Sequence, residues 1–232
     1  VAQLRHRDNP DERVTPTAIQ MLQSFADAAL KPAEDAELDG ESPVSLWSRI
    51  SSSMLWKDTV ATGRRFLISV LLLFPAVILG LHMSMFPYVG ALFLRFFLFF
   101  DKIVALSLLP ILFIAFGIDE LSKIMLIAIG VAPTIILDTF NLSKSVPREQ
   151  IVKAATLGAD DFSIAYSVVF RQIWPRVLNS IRLNLKAVML FLFAGEMIAS
   201  SDGLAYRIAL LRRHMGMDTI IPYVLWVALL LF

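Results

Sequence analysis

The chain has 232 residues, of which 57% are hydrophobic and 18% charged, and its mean hydropathy is +0.68. An ordinary soluble domain carries about 25% charged residues, so the long Leu, Ile, Phe and Val runs argue against a soluble fold and for a membrane protein. The lack of cysteine removes disulfides and Cys-ligated metals, and the net charge of +1 conceals a strong segregation of acidic and basic stretches.

Residues 1–58 are polar and acidic, with Asp8, Asp11, Glu12, Asp27, Glu34, Asp35, Glu37, Asp39, Glu41 and Asp58 outnumbering the local Lys and Arg. Thr15-Pro16 followed by Ile19, Leu22, Phe25 and Ala29 predicts an amphipathic helix, because Thr suits the N-cap, Pro the first turn, and the apolar spacing marks one face. Ala33–Pro43 reads as a loop. Leu46–Arg65 is again amphipathic, and Leu46, Trp47, Ile50, Met54, Leu55 and Trp56 are its candidate interfacial anchors. Residues 1–50 hold no apolar signal-peptide core, so any targeting helix is expected before Val1.

From Phe66 to Phe100 only His82 and Arg95 interrupt the apolar character. At ~1.5 Å per residue this stretch would run ~52 Å as one helix, against a hydrocarbon core of ~30 Å. A break is therefore expected, and Phe86-Pro87-Tyr88-Val89-Gly90 is the place for it. The first predicted span covers 66–85 with Pro75 as a kink. The second ends near Phe116, holds Pro110, and has its start blurred by Asp101-Lys102. Gly117-Ile118-Asp119-Glu120 is a tight turn, and 123–137 forms a third span around Pro133. A fourth span covers 181–200, residues 201–218 connect, and a fifth begins at Thr219. Kinks at Pro110 and Pro133 would free carbonyls able to line a path. The expected fold is an all-α polytopic transmembrane bundle: a polar segment over 1–58, then a membrane domain over 59–232 with a large loop at about 138–180. Five spans are visible and a sixth is expected before Val1.

Orientation follows from the basic residues. Lys144, Arg148, Lys153, Arg171, Arg176, Arg182 and Lys186 outweigh Glu149, Asp160 and Asp161 in the 138–186 interval, which places it in the cytoplasm. By parity the acidic N-terminal segment is outside. Arg64-Arg65 and Arg212-Arg213 stand on the wrong side in this scheme.

Within that interval, Ala154, Ala155 and Leu157 precede Gly158, while Ala159, Phe162, Ile164 and Ala165 follow. This predicts a helix–glycine–helix elbow, since Gly tolerates the backbone of a sharp corner and small neighbours admit another protein closely. Asp160 and Asp161 suit the first turn of the second helix through capping and the macrodipole. Pro175 is expected to end or bend that helix.

The elbow resembles the "EAA" loop of ABC importer permeases, a pattern of EAA, three residues, Gly, nine residues, then Ile-x-Leu-Pro. Leu157-Gly158-Ala159 supplies the glycine core, Ala154 the second alanine and Val168 the Ile position. Val152 and Lys153 stand where Glu and the first Ala are expected, and Phe170-Arg171 replaces Leu-Pro. Further segments are similar to the nitrate/sulfonate/taurine-type subfamily. They are Leu109-Pro110-Ile111-Leu112 with Phe116-Gly117-Ile118, Glu120-Leu121-Ser122-Lys123, Ser145-Val146-Pro147, Gly195-Glu196-Met197, Gly203-Leu204-Ala205-Tyr206-Arg207-Ile208, and Thr15-Pro16 with its helix.

The resemblance implies a type I importer in a bacterial inner membrane. Two permease subunits, identical or homologous, would enclose the path for a small anionic solute such as nitrate, a sulfonate, taurine or bicarbonate. A periplasmic binding protein would deliver it, and a cytosolic ATPase dimer carrying ATP and Mg would dock on the elbow at Ala154, Ala155, Leu157, Gly158, Ala159, Asp160, Asp161, Phe162 and Ile164. This chain itself would hold no cofactor, metal or catalytic residue and engage no nucleic acid; Walker A, metal-ligand and nucleophile-elbow patterns are absent from it. A rival reading is a proton-coupled secondary transporter working through Glu196 or His82.

Glu196 is the one acid well inside an apolar span, ~21 Å along the helix from Arg182. It is a path candidate beside Pro110 and Pro133, or else an interhelical hydrogen-bond partner. His82 reads as structural. Phe93, Phe96, Phe97, Phe99 and Phe100 read as lipid-facing or packing residues, and Arg212-Arg213-His214 as a solvated basic cluster.

Overall fold

The computed structural model describes residues 16–30, 53–213 and 216–231. Thr15, the Ala33–Pro43 loop, the anchors Leu46, Trp47 and Ile50, and His214 lie outside the described residues. Among the described residues the regular elements are helices. They are α1 (Ala18–Leu30), α2 (Met54–Met85), α3 (Pro87–Phe100), a 3-10 turn (Ala105–Leu108) leading into α4 (Leu109–Phe116), α5 (Glu120–Lys144) and α6 (Arg148–Thr156). Next comes α7, composed of Asp161–Ser163, a π-helical stretch Ile164–Phe170 and Arg171–Ala199, and then α8 (Leu204–Arg213) and α9 (Met217–Leu231).

Among the described residues three helices are long and apolar enough to cross a bilayer: Met54–Met85, Glu120–Lys144 and Asp161–Ile198. A fourth is added if α3 and the 105–116 segment, bent by 82° at their junction, count as one span. The apolar α9 has 15 residues, fewer than the ~20 that a hydrocarbon core requires. Several expected boundaries move. α2 begins at Met54 and not at Phe66, because its polar residues Asp58, Thr62, Arg65 and Ser69 fall on one helical face and are all buried, at most 3% exposed. Their hydrogen bonds are made inside the protein, which a hydropathy reading cannot see. α5 continues to Lys144, α7 runs through Pro175 without ending, and the expected 201–218 loop contains α8. Pro75 and Pro133 do lie inside helices. Pro110 does not kink a span; it stands in the first turn of α4, where a missing N–H costs no helical bond.

The described residues form two compact units, one of residues up to Arg64 with those from Phe193, the other Arg65–Leu192. In the first, α1 lies against α9. The Phe25 and Trp226 ring centroids are 5.8 Å apart, and the Ser24 hydroxyl donates to Asp218 at 3.1 Å. Trp226 Nε1–H donates to the Thr59 hydroxyl at 3.1 Å.

In the second unit Leu73, Val77, Leu81, Leu126, Ile127 and Ile135 are among the buried core residues. Gly80 is where α2 meets α5: a Cβ there would lie 2.5 Å from the Ile136 carbonyl oxygen and 2.8 Å from Thr139 Cβ. The two backbones touch because the residue has no side chain, a common device of membrane helix pairs. Arg65 forks onto Glu120, Nε and one terminal nitrogen each donating at 2.7 Å, and Lys123 adds a third bond at 3.3 Å. Arg65, misplaced as a topology signal, is thus neutralised within the protein.

Candidate functional site

The elbow is built as the residue pattern predicts, and its corner is a Schellman motif. Gly158, at φ +85°, donates its N–H to the Ala155 carbonyl at 3.0 Å, and Ala159 N–H reaches back to the Ala154 carbonyl at 3.1 Å. These bonds satisfy carbonyls that the end of α6 would otherwise leave bare. The left-handed backbone is why glycine stands there; a Cβ at Gly158 would meet no atom within 4 Å.

The chain re-enters a helix at Asp160, which occupies the N-cap position with extended backbone, and Asp161 opens the first turn of α7. The Ser163 hydroxyl donates to the Asp160 carboxylate and holds that carboxyl below the usual range. Negative charge at this position also suits the helix N-terminus.

No side chain of α6 is buried. Val152 (52%), Leu157 (88%) and Phe162 (58%) are apolar and exposed. The following helix is firmly seated: Ile164, Ala165 and Val169 are buried, and Phe162 meets Phe86 with ring centroids 5.2 Å apart. Tyr166 lies over His82, whose Nε2 is 3.4 Å from the Tyr166 hydroxyl and whose Nδ1 is 2.8 Å from the Ile78 carbonyl oxygen. Side-chain bonds from Gln172 to Gln150 and from Arg176 to Ser145 tie α7 to the neighbourhood of α6. The elbow is therefore a rigid corner presenting an apolar tip. Between α5 and α7 a cleft of about 570 Å³ is lined by polar Asp138, Asn141, Arg176, Asn179, Ser180 and Asn184 together with Leu142, Pro175 and Leu183.

Glu196 sits elsewhere, in the first unit. It is fully buried and accepts from the Thr62 hydroxyl, 3.0 Å from each carboxylate oxygen, and from the Ala205 N–H at 3.2 Å. Thr62 Oγ1 also accepts the Leu204 N–H at 2.9 Å, and Asp58 accepts the Gly203 N–H at 3.1 Å and Arg207 Nε–H at 2.9 Å. Successive N–H groups at the start of α8 are thus all taken by side chains, two of them carboxylates that also suit the positive helix end. Of the two roles open to Glu196, its geometry is that of the interhelical hydrogen-bond partner. The sequence reading missed this cap, although a signal was present: Asp58 and Thr62 are four residues apart, and a glycine stands at 203 directly ahead of α8. It also missed the π-helical stretch directly after the elbow. Of the other path candidates, Pro133 is buried in mid-α5 and Pro110 is exposed at the start of α4.

The described residues are thus helical, with bilayer-length helices and an exposed elbow between two of them. The chain belongs to the family of binding-protein-dependent transport system inner membrane components, whose model matches residues 50–232. The Escherichia coli taurine transport system permease protein TauC is 26% identical over 182 residues, covering 77% of this chain and 65% of TauC. A probable ABC transporter permease protein of Brucella melitensis is 31% identical over 122 residues, 53% of this chain and 50% of that protein. The putative aliphatic sulfonates permease SsuC of E. coli is 26% identical over 125 residues, 54% and 48% of the two chains. The chain thus spans between about half and 65% of the length of these curated relatives. Among solved structures, a chain of the MetNI methionine ABC transporter in inward facing conformations superposes with a TM-score of 0.62, covering 77% of this chain and 89% of that one. At 16% identity this likeness is one of fold. The family and these relatives are transport components.

Proposed function

We propose that this chain is a permease subunit of an ATP-driven importer in a bacterial inner membrane, and that its elbow is the point where a cytosolic ATPase grips it. The carrying observation is the elbow itself: a glycine-cornered turn with apolar Val152, Leu157 and Phe162 exposed above a seated helix. Exposed apolar groups at the tip of an otherwise polar segment suit coverage by another protein. A corner fixed by two backbone bonds transmits a push instead of absorbing it. Closure of the ATPase pair on ATP would bias the spans between two arrangements through this lever.

A second permease subunit, identical or homologous, would complete the path, and a periplasmic binding protein would deliver the solute. The similarity to TauC and SsuC supports a small solute bearing an anionic sulfonate group, of the taurine or alkanesulfonate kind. ATP and Mg would bind the ATPase subunits.

The test compares Gly158→Ala with Gly158→Trp in the assembled transporter. A Cβ at Gly158 meets nothing within 4 Å, so both changes carry the same backbone strain of roughly 1–2 kcal/mol, and only Trp adds bulk at the docking face. Gly158→Trp should insert normally yet lose uptake and uptake-linked ATP hydrolysis, with Gly158→Ala much less affected. Normal uptake and ATPase stimulation by Gly158→Trp would overturn the docking assignment.

A further inference from the structure

We infer that Lys102, at the break between α3 and the Ala105–Leu108 turn, faces a water-filled part of the translocation path and contacts the anionic group of the solute. The inference rests on the importer reading and adds to it a residue that specifies charge. Three observations carry it.

The first is depth. The Thr134 hydroxyl donates to Asp101 Oδ1 at 2.9 Å, which ties the break to the middle of α5. At ~1.5 Å per residue Thr134 lies ~21 Å from the Glu120 end of that helix and ~15 Å from the Lys144 end. Packing agrees, since a Cβ on Gly130 would lie 2.8 Å from Ala105 Cβ.

The second is exposure. The Lys102 side chain is 81% exposed, while that of Asp101 is 23% exposed and 3.9 Å away. Asp101 gives one carboxylate oxygen to Thr134 and pairs with the Lys102 ammonium through the other, at 3.9 Å, longer than a hydrogen bond. Arg95, also exposed, lies two helical turns earlier along the same segment. A bare ammonium deep in hydrocarbon is strongly unfavourable, and the four-carbon lysine stem is far shorter than the ~15 Å to the nearer end of α5. The 3.9 Å pairing with Asp101 leaves the three N–H donors of this exposed ammonium without a hydrogen bond, so Lys102 requires water or a further polar partner at its own depth.

The third is the backbone. The chain tightens through bonds from Lys102 N–H to the Phe99 carbonyl and from Ile103 N–H to the Phe100 carbonyl, both 3.1 Å, then bends by 82°. Irregular backbone at membrane depth is tolerated where it is buried in protein or lines a water-filled cavity, and the charge on exposed Lys102 points to the cavity. Pro133, at the same depth on α5, withholds the helical bond from the Ile129 carbonyl, adding an acceptor to the neighbourhood.

Because the chain has no cysteine, Lys102→Cys gives it one reactive thiol. In the assembled transporter, in vesicles, labelling of this chain by membrane-impermeant thiosulfonates is compared with that of Ile114→Cys, a site 87% exposed on apolar α4. Taurine is the uptake probe. Lys102→Cys should label at least about tenfold faster than Ile114→Cys and lose about tenfold in taurine uptake, the scale of one lost polar contact. An aminoethyl reagent, which restores the ammonium, should recover uptake, and a sulfonatoethyl reagent should not. Lys102→Arg should retain uptake. Labelling no faster than at Ile114→Cys would overturn the inference by placing Lys102 against lipid or protein. Equal uptake after both reagents would overturn the charge role. If the unmodified transporter moves no taurine, the solute reading falls instead, and the labelling comparison still decides whether Lys102 faces water.

Discussion

Gly80 gives the sharpest test of how the helices are joined. Adding a methyl group would put a carbon 2.5 Å from the Ile136 carbonyl oxygen and 2.8 Å from Thr139 Cβ. The first of these contacts is backbone, which cannot rotate aside, so α2 and α5 must separate locally by about 1 Å, and gaps of that size forfeit a quarter to a half of each dispersion contact along the crossing. Overpacking of this kind costs about 1–3 kcal/mol. Gly63 lies on the same helix, and a Cβ there meets nothing within 4 Å; Gly63→Ala should gain up to about 1 kcal/mol from helix propensity. One chemical change at two positions of one helix should therefore move stability in opposite directions. The assay is thermal unfolding of the detergent-solubilised protein, read as the monodisperse fraction surviving a heating series. At ~2–4 °C per kcal/mol for a chain of this size, the two variants should separate by on the order of 5–10 °C. Gly80→Ala melting with or above Gly63→Ala would refute the backbone contact.

Two further changes probe the buried polar stripe of α2. Thr62→Val removes the donor to Glu196 and the acceptor of the Leu204 N–H, each worth about 1–3 kcal/mol when left unmade in a buried site, while Thr62→Ser keeps the hydroxyl. The Val variant should melt well below the Ser variant, and equal melting would show that the hydroxyl does not hold the cap of α8. Glu120→Ala removes the acceptor of the Arg65 fork and of the Lys123 bond and should destabilise by at least about 2 kcal/mol. Glu120→Gln, which keeps one acceptor oxygen, should fall between the parent and Glu120→Ala in the same melt; a Gln variant as weak as Ala would mean that the carboxylate charge carries the whole effect.

Composition alone identified a membrane chain, since no soluble core absorbs runs such as 66–100. Local chemistry identified the elbow down to its corner, because the left-handed turn at Gly158 and the carboxylates of Asp160 and Asp161 at the start of the next helix depend on neighbours within a few residues. Family membership was likewise legible in short, contiguous motifs. The polar face of α2 was not legible. Asp58, Thr62, Arg65 and Ser69 look like an interfacial surface until Arg207, Glu196 and Glu120 are brought against the first three and the Arg65 carbonyl accepts the Ser69 hydroxyl. The long-range partners lie 55–149 residues away in the chain. Glu196 and Lys102 show the same limit from opposite sides. One is an acid in an apolar run that proves to be fully bonded, the other a cation in a blurred loop start that is carried to mid-span by Thr134. Sequence sets what each residue can bond and which backbone it tolerates; burial and depth belong to distant segments meeting, and only the tertiary structure supplies those.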